Sequence, residues 1–297
     1  EVFRRVVEEG AFASAARKLQ LSPGSVSKHV AALEASLDTR LLHRTTRSIG
    51  LTAAGQAYYD RLCVVLDDLA SLERDVRGDA TALSGTLRVA VPMSLGLAAI
   101  APVVAEFLER HPKVHLDLAL NDRRVDLVED GIDLALRVAE TLPDSTLVAR
   151  RLAPMPRVLV GSPDYLSRRG TPQHPRDLEQ HDCIRYSRLD APDVWPLQRD
   201  DETVRAHVRG SLSADNSLAL IAALRSGLGL ALVPTFTASE ALADGSLVQV
   251  LADWSPPPRW IYGVYPTRRQ LSAKVRAFLD FVADALDKGP RPRSEGR

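Results

Sequence analysis

The chain has 297 residues, 45% of them hydrophobic, enough for about two domains that each bury a core. Lys plus Arg and Asp plus Glu number 38 each, so overall charge points to no polyanionic partner, and a nucleic-acid contact would need a local basic surface. Two cysteines far apart, Cys63 and Cys183, make no disulfide scaffold and fit a reducing, cytoplasmic compartment, while the lack of a run of about 18 apolar residues argues against a membrane span.

Val2, Phe3, Val6 and Val7 recur at helical spacing, and Gly10 ends that first helix. The pattern is already helical at Glu1, so a few preceding residues are expected; no signal peptide is visible. Ser14 reads as the cap of a second helix whose apolar face closes with Leu19 and Leu21. Ser22 followed by Pro23 is a cap followed by a proline at the first helical position, which starts a third helix. There Val26, Val30, Leu33 and Leu37 define one buried face, leaving Ser25, Ser27, Lys28 and His29 off the stripe. Two short helices joined by a tight turn, the second opening on hydroxyl and basic residues, form a helix-turn-helix suited to a DNA major groove. From Ser22 to Arg47 the charges are Lys28, Arg40, Arg44 and Arg47 against Glu34 and Asp38, a modest basic excess.

Residues 40–52 read as two short extended segments around a polar basic turn, a β-wing, and Thr52 caps the next helix, over about 53–77. Its Tyr58, Leu62, Val65, Leu69, Leu72 and Val76 alternate steps of four and three, an a/d seam. Two readings stand: a coiled coil that pairs two chains, favoured by the length of the seam, or an amphipathic helix packed on its own domain. Residues 78–85 read as a linker.

Strands then alternate with helices: strands at Leu87–Val91, Val114–Leu120, Ile132–Val138, Leu147–Leu152, Val158–Val160, Leu228–Val233, 246–251 and 260–265, and helices at 95–110, 122–130, 216–226 and 271–287. The alternation implies an α/β domain with mainly parallel sheets, followed by a disordered tail over 289–297. Enzyme signatures are missing: there is no Gly-x-Ser-x-Gly elbow and no His-Glu-x-x-His helix, and Gly227-Leu-Gly229 lacks the third glycine of a dinucleotide fingerprint. His111 and His115 are split by Pro112, and the seven histidines show no metal spacing. Neither an enzyme nor a resident cofactor or metal is therefore expected. A redox sensor would need two reactive cysteines near each other, and a solute-binding protein would lack residues 1–76.

Along nearly its whole length the chain resembles the LysR-type transcriptional regulators. The N-terminal residues that carry the likeness are Ala15-Ala16, Leu19, Ser22, Val26-Ser27, Leu33-Glu34, Leu37, Leu41-Leu42, Arg44, Leu51-Thr52 and Gly55. Farther on come Pro112, Gly131 to Arg137, Ser162 to Leu166, Gly170, His181-Asp-Cys183, Gly227-Leu-Gly229, Val233-Pro234 and Gly245 to Val248. The resemblance implies a multidomain chain. A winged helix-turn-helix at 1–55, all-α but for a small β-wing, precedes a linker helix and hinge at 56–85. A two-lobed α/β effector domain like a periplasmic binding protein (type 2) follows at 86–288, with lobe one at 86–157 and 264–288 and lobe two at 158–262. The crossover strands are expected near Arg157–Val160 and Ile261–Tyr265. Two positions depart from the family: Pro23 stands where a base-reading Gln is common, and Asp38 where a glycine is usual.

The resemblance also implies the partners: an operator in double-stranded DNA, a small organic co-inducer, a second copy of the chain, a dimer of dimers and RNA polymerase. Ser14 and Ser22 are expected on phosphate, Ser27 and Lys28 on base edges, with Pro23, Ser25 and His29 beside them and Arg44, Thr45 and Arg47 on the wing. Ligands of open α/β sheets sit at strand ends and helix starts. By resemblance the cleft is faced by Pro92, Met93 and Ser94, by Asn121, Arg137 and Val138, and in lobe two by Asp215, Asn216, Val233 and Pro234. Arg137 has two open roles, ligand contact or a structural pair with Asp133.

Overall fold

Helix α1 (Val2–Glu9) stops where Gly10 takes the left-handed conformation at φ 64° and returns its N–H to Val7. Helix α2 (Phe12–Leu19) follows at once from Ala11, whose carbonyl already accepts from Ala15 N. Ser14 therefore lies inside the first turn and is not the cap. Helix α3 (Pro23–Ser36) starts as its sequence predicts, with Ser22 Oγ accepting from Ser25 N at 3.2 Å and Pro23 in the first turn. Val26 and Val30 join Phe3, Val6, Ala15, Ala16, Leu41 and Leu42 in one core, with Leu33 at its edge. Leu21 and Leu37 were expected on apolar faces; each lies just beyond the end of its helix and is exposed. Asp38 takes φ 46°, a backbone usually left to glycine, and turns the chain toward the wing.

Strands β1 (Leu42–Arg44) and β2 (Ile49–Leu51) pair antiparallel, Leu42 opposite Leu51. Thr52 Oγ1 donates to Arg40 O at 2.7 Å and accepts from Gly55 N at 2.9 Å, capping helix α4 (Ala53–Arg77). A Cβ on Gly55 would stand 1.9 Å from Leu41 O, so only glycine lets α4 approach the wing this closely.

This computed structural model describes residues 1–44, 49–77, 83–123, 125–142, 147–266 and 271–288, and the chain divides into units Glu1–Gly85 and Thr86–Arg297. The second unit opens with β3 (Gly85–Val91), a short helix α5 (Met93–Leu95), a π-helical turn (Gly96–Ile100) and α6 (Ala101–Arg110). Strands β4 (Val114–Leu120), β5 (Leu134–Ala139) and β6 (Leu147–Pro154) complete the outward path. The second lobe holds β7 (Arg157–Gly161), α7 (Pro163–Arg169), a 3-10 turn (Pro175–Gln180), β8 (Arg185–Tyr186), the hairpin β9 (Val194–Arg199) and β10 (Glu202–His207), and β11 (Ser213–Ala214). Helix α8 (Ser217–Arg225), β12 (Leu230–Pro234), α9 (Thr235–Ala243) and β13 (Val248–Gln249) follow, and β14 (Trp260–Pro266) and α10 (Ala273–Asp287) return to the first lobe.

The first sheet has the order β4-β3-β5-β14-β6, the second β12-β7-β13. β3 and β5 are parallel, but β14 runs antiparallel to both β5 and β6, and β7 antiparallel to β12 and β13. The expected mainly parallel sheets are thus mixed, because β14 enters from the other lobe and runs against its neighbours. The chain crosses at Met155–Pro156 and again before Trp260, so Arg157 opens the second sheet and Trp260–Tyr262, expected in lobe two, belong to the first. Met155 N donates to Arg259 O at 2.7 Å and fastens the two crossings together. In place of the expected helix at 122–130, the described residues bend at 122–123 and turn at 127–130. Asp126 accepts there from Val128 N at 2.9 Å and Glu129 N at 3.1 Å, a local bond that competes with helix. The sequence pattern predicts neither the hairpin β9–β10 nor helix α9.

Candidate functional site

Three of the expected DNA-binding residues cluster on the opening turn of α3. Ser22 and Pro23 are exposed and Ser25 is half-buried, while Ser27 and Lys28 lie one turn on, Ser27 half-buried and Lys28 exposed. Lys28 makes no ion pair among the described residues, so its ammonium is free for an acceptor. His29 is exposed, but its Nδ1 sits 2.8 Å from Ser25 O, folding the ring onto its own helix. Ser14 lies on α2, half-buried, and its Oγ accepts from Arg17 at 3.4 Å. A Cβ on Gly24 would meet nothing within 4 Å, so the backbone at the start of α3 has open space before it. Arg44 ends β1, while Thr45 and Arg47 lie outside the described residues.

The turn that presents this face depends on Glu34. Its Oε1 accepts from Leu41 N at 2.8 Å and Leu42 N at 3.0 Å, so one carboxylate ties α3 to strand β1. The sequence marked Glu34 as a motif residue without revealing that role.

The seam expected along α4 divides. Tyr58 packs edge-on to Phe3, ring centres 5.7 Å apart, and Leu62 joins the same core, so these two serve their own unit. Val65 and Leu69 are 62% and 51% exposed. The side chains of Leu72 and Val76 lie outside the described residues.

A cavity of about 490 Å³ lies between the lobes of the second unit. Pro92, Ser94, Asn121, Arg137, Val138 and Pro234 of the expected set line it. Met93 does not: it is exposed, and its N–H donates to Asp122 Oδ1 at 3.0 Å. Asp215 pairs with Arg188 at 2.8 Å, and it is Arg188 that reaches the lining. Asn216 caps α8 by accepting from Leu218 N and donates Nδ2 to Asp122 Oδ2 at 2.9 Å, a bond from lobe two to lobe one. Val233 points away from the cavity into the core under α8 and α9. Arg137 lines the cavity and donates to Val125 O at 3.4 Å, while Asp133 engages Lys274 at 3.5 Å and Arg88 N at 2.9 Å. Lining residues the sequence did not single out include Arg157 and Arg259 at the crossings, Tyr186, Ser217 and Phe236. Burial and the neighbouring Arg259 pull the Arg157 guanidinium down to about 10. Among the described residues no three His, Cys, Asp or Glu side chains converge as metal ligands, and no helix is long and apolar enough to cross a membrane.

Comparison with known proteins gives one answer along the chain. Residues 1–56 match the bacterial regulatory helix-turn-helix proteins of the lysR family, and residues 80–287 match the LysR substrate binding domain. An uncharacterised HTH-type transcriptional regulator of Escherichia coli K12, YhjC, is 37% identical over 290 residues, 96% of either chain. The HTH-type transcriptional regulator PtxR of Pseudomonas aeruginosa is 34% identical over 97% of this chain and 92% of its own. Among solved structures, the full-length virulence activator AphB of Vibrio cholerae superposes with a TM-score of 0.60 at 35% identity, covering 95% of this chain and 97% of AphB. CrgA of Neisseria meningitidis, a LysR-type transcriptional regulator, gives a TM-score of 0.63 at 31% identity over 96% and 97%.

Proposed function

This chain belongs to the LysR-type transcriptional regulators, and we propose that it couples DNA reading by α3 and the wing to a small organic effector held in the interlobe cavity. The observation that carries this reading is the cavity itself: its volume suits a metabolite, and its walls come from both lobes and both crossings. A ligand that binds one lobe arrangement more tightly than another shifts the balance between them, which is what a switch requires. No cofactor and no catalytic step enters; the effector acts by binding.

At the DNA, Ser22 and the open backbone at Gly24 approach phosphate, and Ser14 adds a second backbone contact. Ser27 and Lys28 read base edges, Lys28 on guanine acceptors, with Ser25 and His29 beside them. Pro23 offers no donor, so discrimination rests on Ser27, Lys28 and the wing residues Arg44, Thr45 and Arg47. Exposed Val65 and Leu69 support pairing of two chains through α4, which presents two recognition helices to half-sites about one helical turn apart. Dimers of dimers, and contact with RNA polymerase, complete the regulator in the cytoplasm, where the DNA is.

The test is a gel shift on genomic fragments selected by the protein. Lys28→Ala is expected to weaken specific binding by about 1–3 kcal/mol, and Ser94→Trp, which fills the cavity, to abolish the response of a promoter reporter while leaving DNA affinity in place. Unchanged operator affinity in the first variant, or an intact response in the second, overturns the corresponding half.

A further inference from the structure

Among the described residues, four buried side-chain nitrogen or oxygen atoms have no hydrogen-bond partner: Arg157 Nε, Arg185 Nε, Ser217 Oγ and Arg259 Nε. Three of the four belong to residues that line the interlobe cavity. Buried polar groups are normally satisfied, so such a concentration at one place marks a site shaped for something polar that is not part of the chain. Resting on the effector reading above, we propose that the ligand is an organic carboxylate whose head group is gripped by Arg157 and Arg259 where the lobes cross, with its apolar body among Val91, Leu220, Leu232 and Phe236.

The charges around the pair favour an anion. Arg157 and Arg259 repel each other across a partly buried space, and Arg157 uses only Nη2, on Pro257 O at 3.1 Å. Their nearest carboxylate is Glu140, 3.6 Å from Arg259 Nε and half exposed, which leaves one of the two charges unmatched. Other charged groups of the lining are engaged. Arg188 pairs with Asp215 at 2.8 Å, Arg137 donates to Val125 O, and Asp122 accepts from Asn216 and from Met93 N. A guanidinium presents a planar fork that fits two carboxylate oxygens, and binding there relieves both the repulsion and the orphaned Nε groups. Ser217, 3% exposed and first in α8, offers its hydroxyl at a helix N-terminus, which also favours negative charge.

The position of the pair gives the head group its leverage. Arg157 opens β7 on one crossing and Arg259 immediately precedes β14 on the other, and Met155 N to Arg259 O already ties these segments. A carboxylate held by both side chains joins the two crossings a second time. The bound state is then favoured in whichever lobe arrangement brings both guanidinium groups to one anion.

The experiment titrates the full chain by calorimetry and thermal shift with benzoate, phenylacetate and hexanoate, with their neutral amides, and with phenyl phosphate. At least one acid is expected to bind and raise the melting temperature, with its amide about tenfold weaker or worse. Arg157→Gln and Arg259→Gln are expected to lose that binding by a similar factor. Arg157→Lys and Arg259→Lys keep the charge but lose the fork; they are expected to fall between, and they carry the test if a Gln variant does not fold. Absence of binding by every acid at millimolar concentration, equal binding of acid and amide, or binding indifferent to all four substitutions overturns the proposal. Tighter binding of phenyl phosphate than of any acid overturns the carboxylate assignment. A gel shift with the same compounds separates this from the regulatory reading. Amides that shift DNA affinity leave the regulatory reading standing without the anion site, and acids that bind without altering DNA affinity do the reverse.

Discussion

Glu34 shows how much one side chain can organise. Its carboxylate accepts two backbone N–H groups, Leu41 and Leu42, at the turn between α3 and the β1–β2 hairpin. Glu34→Ala leaves both donors without that acceptor and is expected to destabilise the N-terminal unit by about 2 kcal/mol or more, measured by urea unfolding. Glu34→Gln keeps one acceptor and is expected to cost less. In the second unit His181 is buried against Tyr165, its Nδ1 3.1 Å from the phenolic oxygen. Burial pushes the imidazole below its ordinary value of 6.5, so the unfolded chain takes up the proton first as pH falls. The stability tied to neutral His181 is therefore complete above that ordinary value and lost below it. Melting temperatures taken across pH 7 to 5 are expected to fall more steeply for the parent chain than for His181→Gln. The sequence showed where such residues stand but not what they hold. Ser22 and Thr52 were legible because a cap acts within three residues, whereas Glu34 acts seven and eight residues away and Arg157 on a space shared with Arg259. Ser14 was misread because a serine before an apolar run resembles a cap wherever the helix begins.

Helix α4 buries only part of its apolar stripe. Tyr58 and Leu62 close the core of their own unit, while Val65 and Leu69 stay exposed one turn farther on. The spacing predicted the stripe but could not divide it, since a residue packed at home and one packed on a partner repeat at the same interval. Val65→Asp with Leu69→Asp is expected to shift the protein toward monomer in sedimentation velocity while leaving the melting of the N-terminal core unchanged, because neither side chain is part of it. Loss of secondary structure in the double variant would assign both residues to folding instead. Elements with strong local signals, such as β4 and α10, lie close to where the pattern placed them. The turn at 127–130 and helix α9 escaped because an Asp-rich stretch can bond to its own backbone and because a buried helix shows little periodicity.

At the scale of the molecule, alternation of strands and helices predicted an α/β domain with mainly parallel sheets, while its division into two lobes was implied by the resemblance, and the strand directions proved mixed. A strand that returns from the other lobe takes whichever sheet position is open, and β14 does so antiparallel between β5 and β6. The cavity is a product of that path, since both crossings contribute an arginine to it. Lys274 is only 7% exposed, and its ammonium is held by the Thr86 carbonyl and by Asp133 at 3.5 Å. Thr86 is the first residue of its unit. A fragment that begins a few residues before Thr86 keeps that carbonyl, whereas one that begins at Arg88 strands a buried ammonium against a single carboxylate. The shorter fragment is expected to melt lower and to be cut faster by protease, so the place to sever the chain is dictated by a lysine nearly two hundred residues downstream.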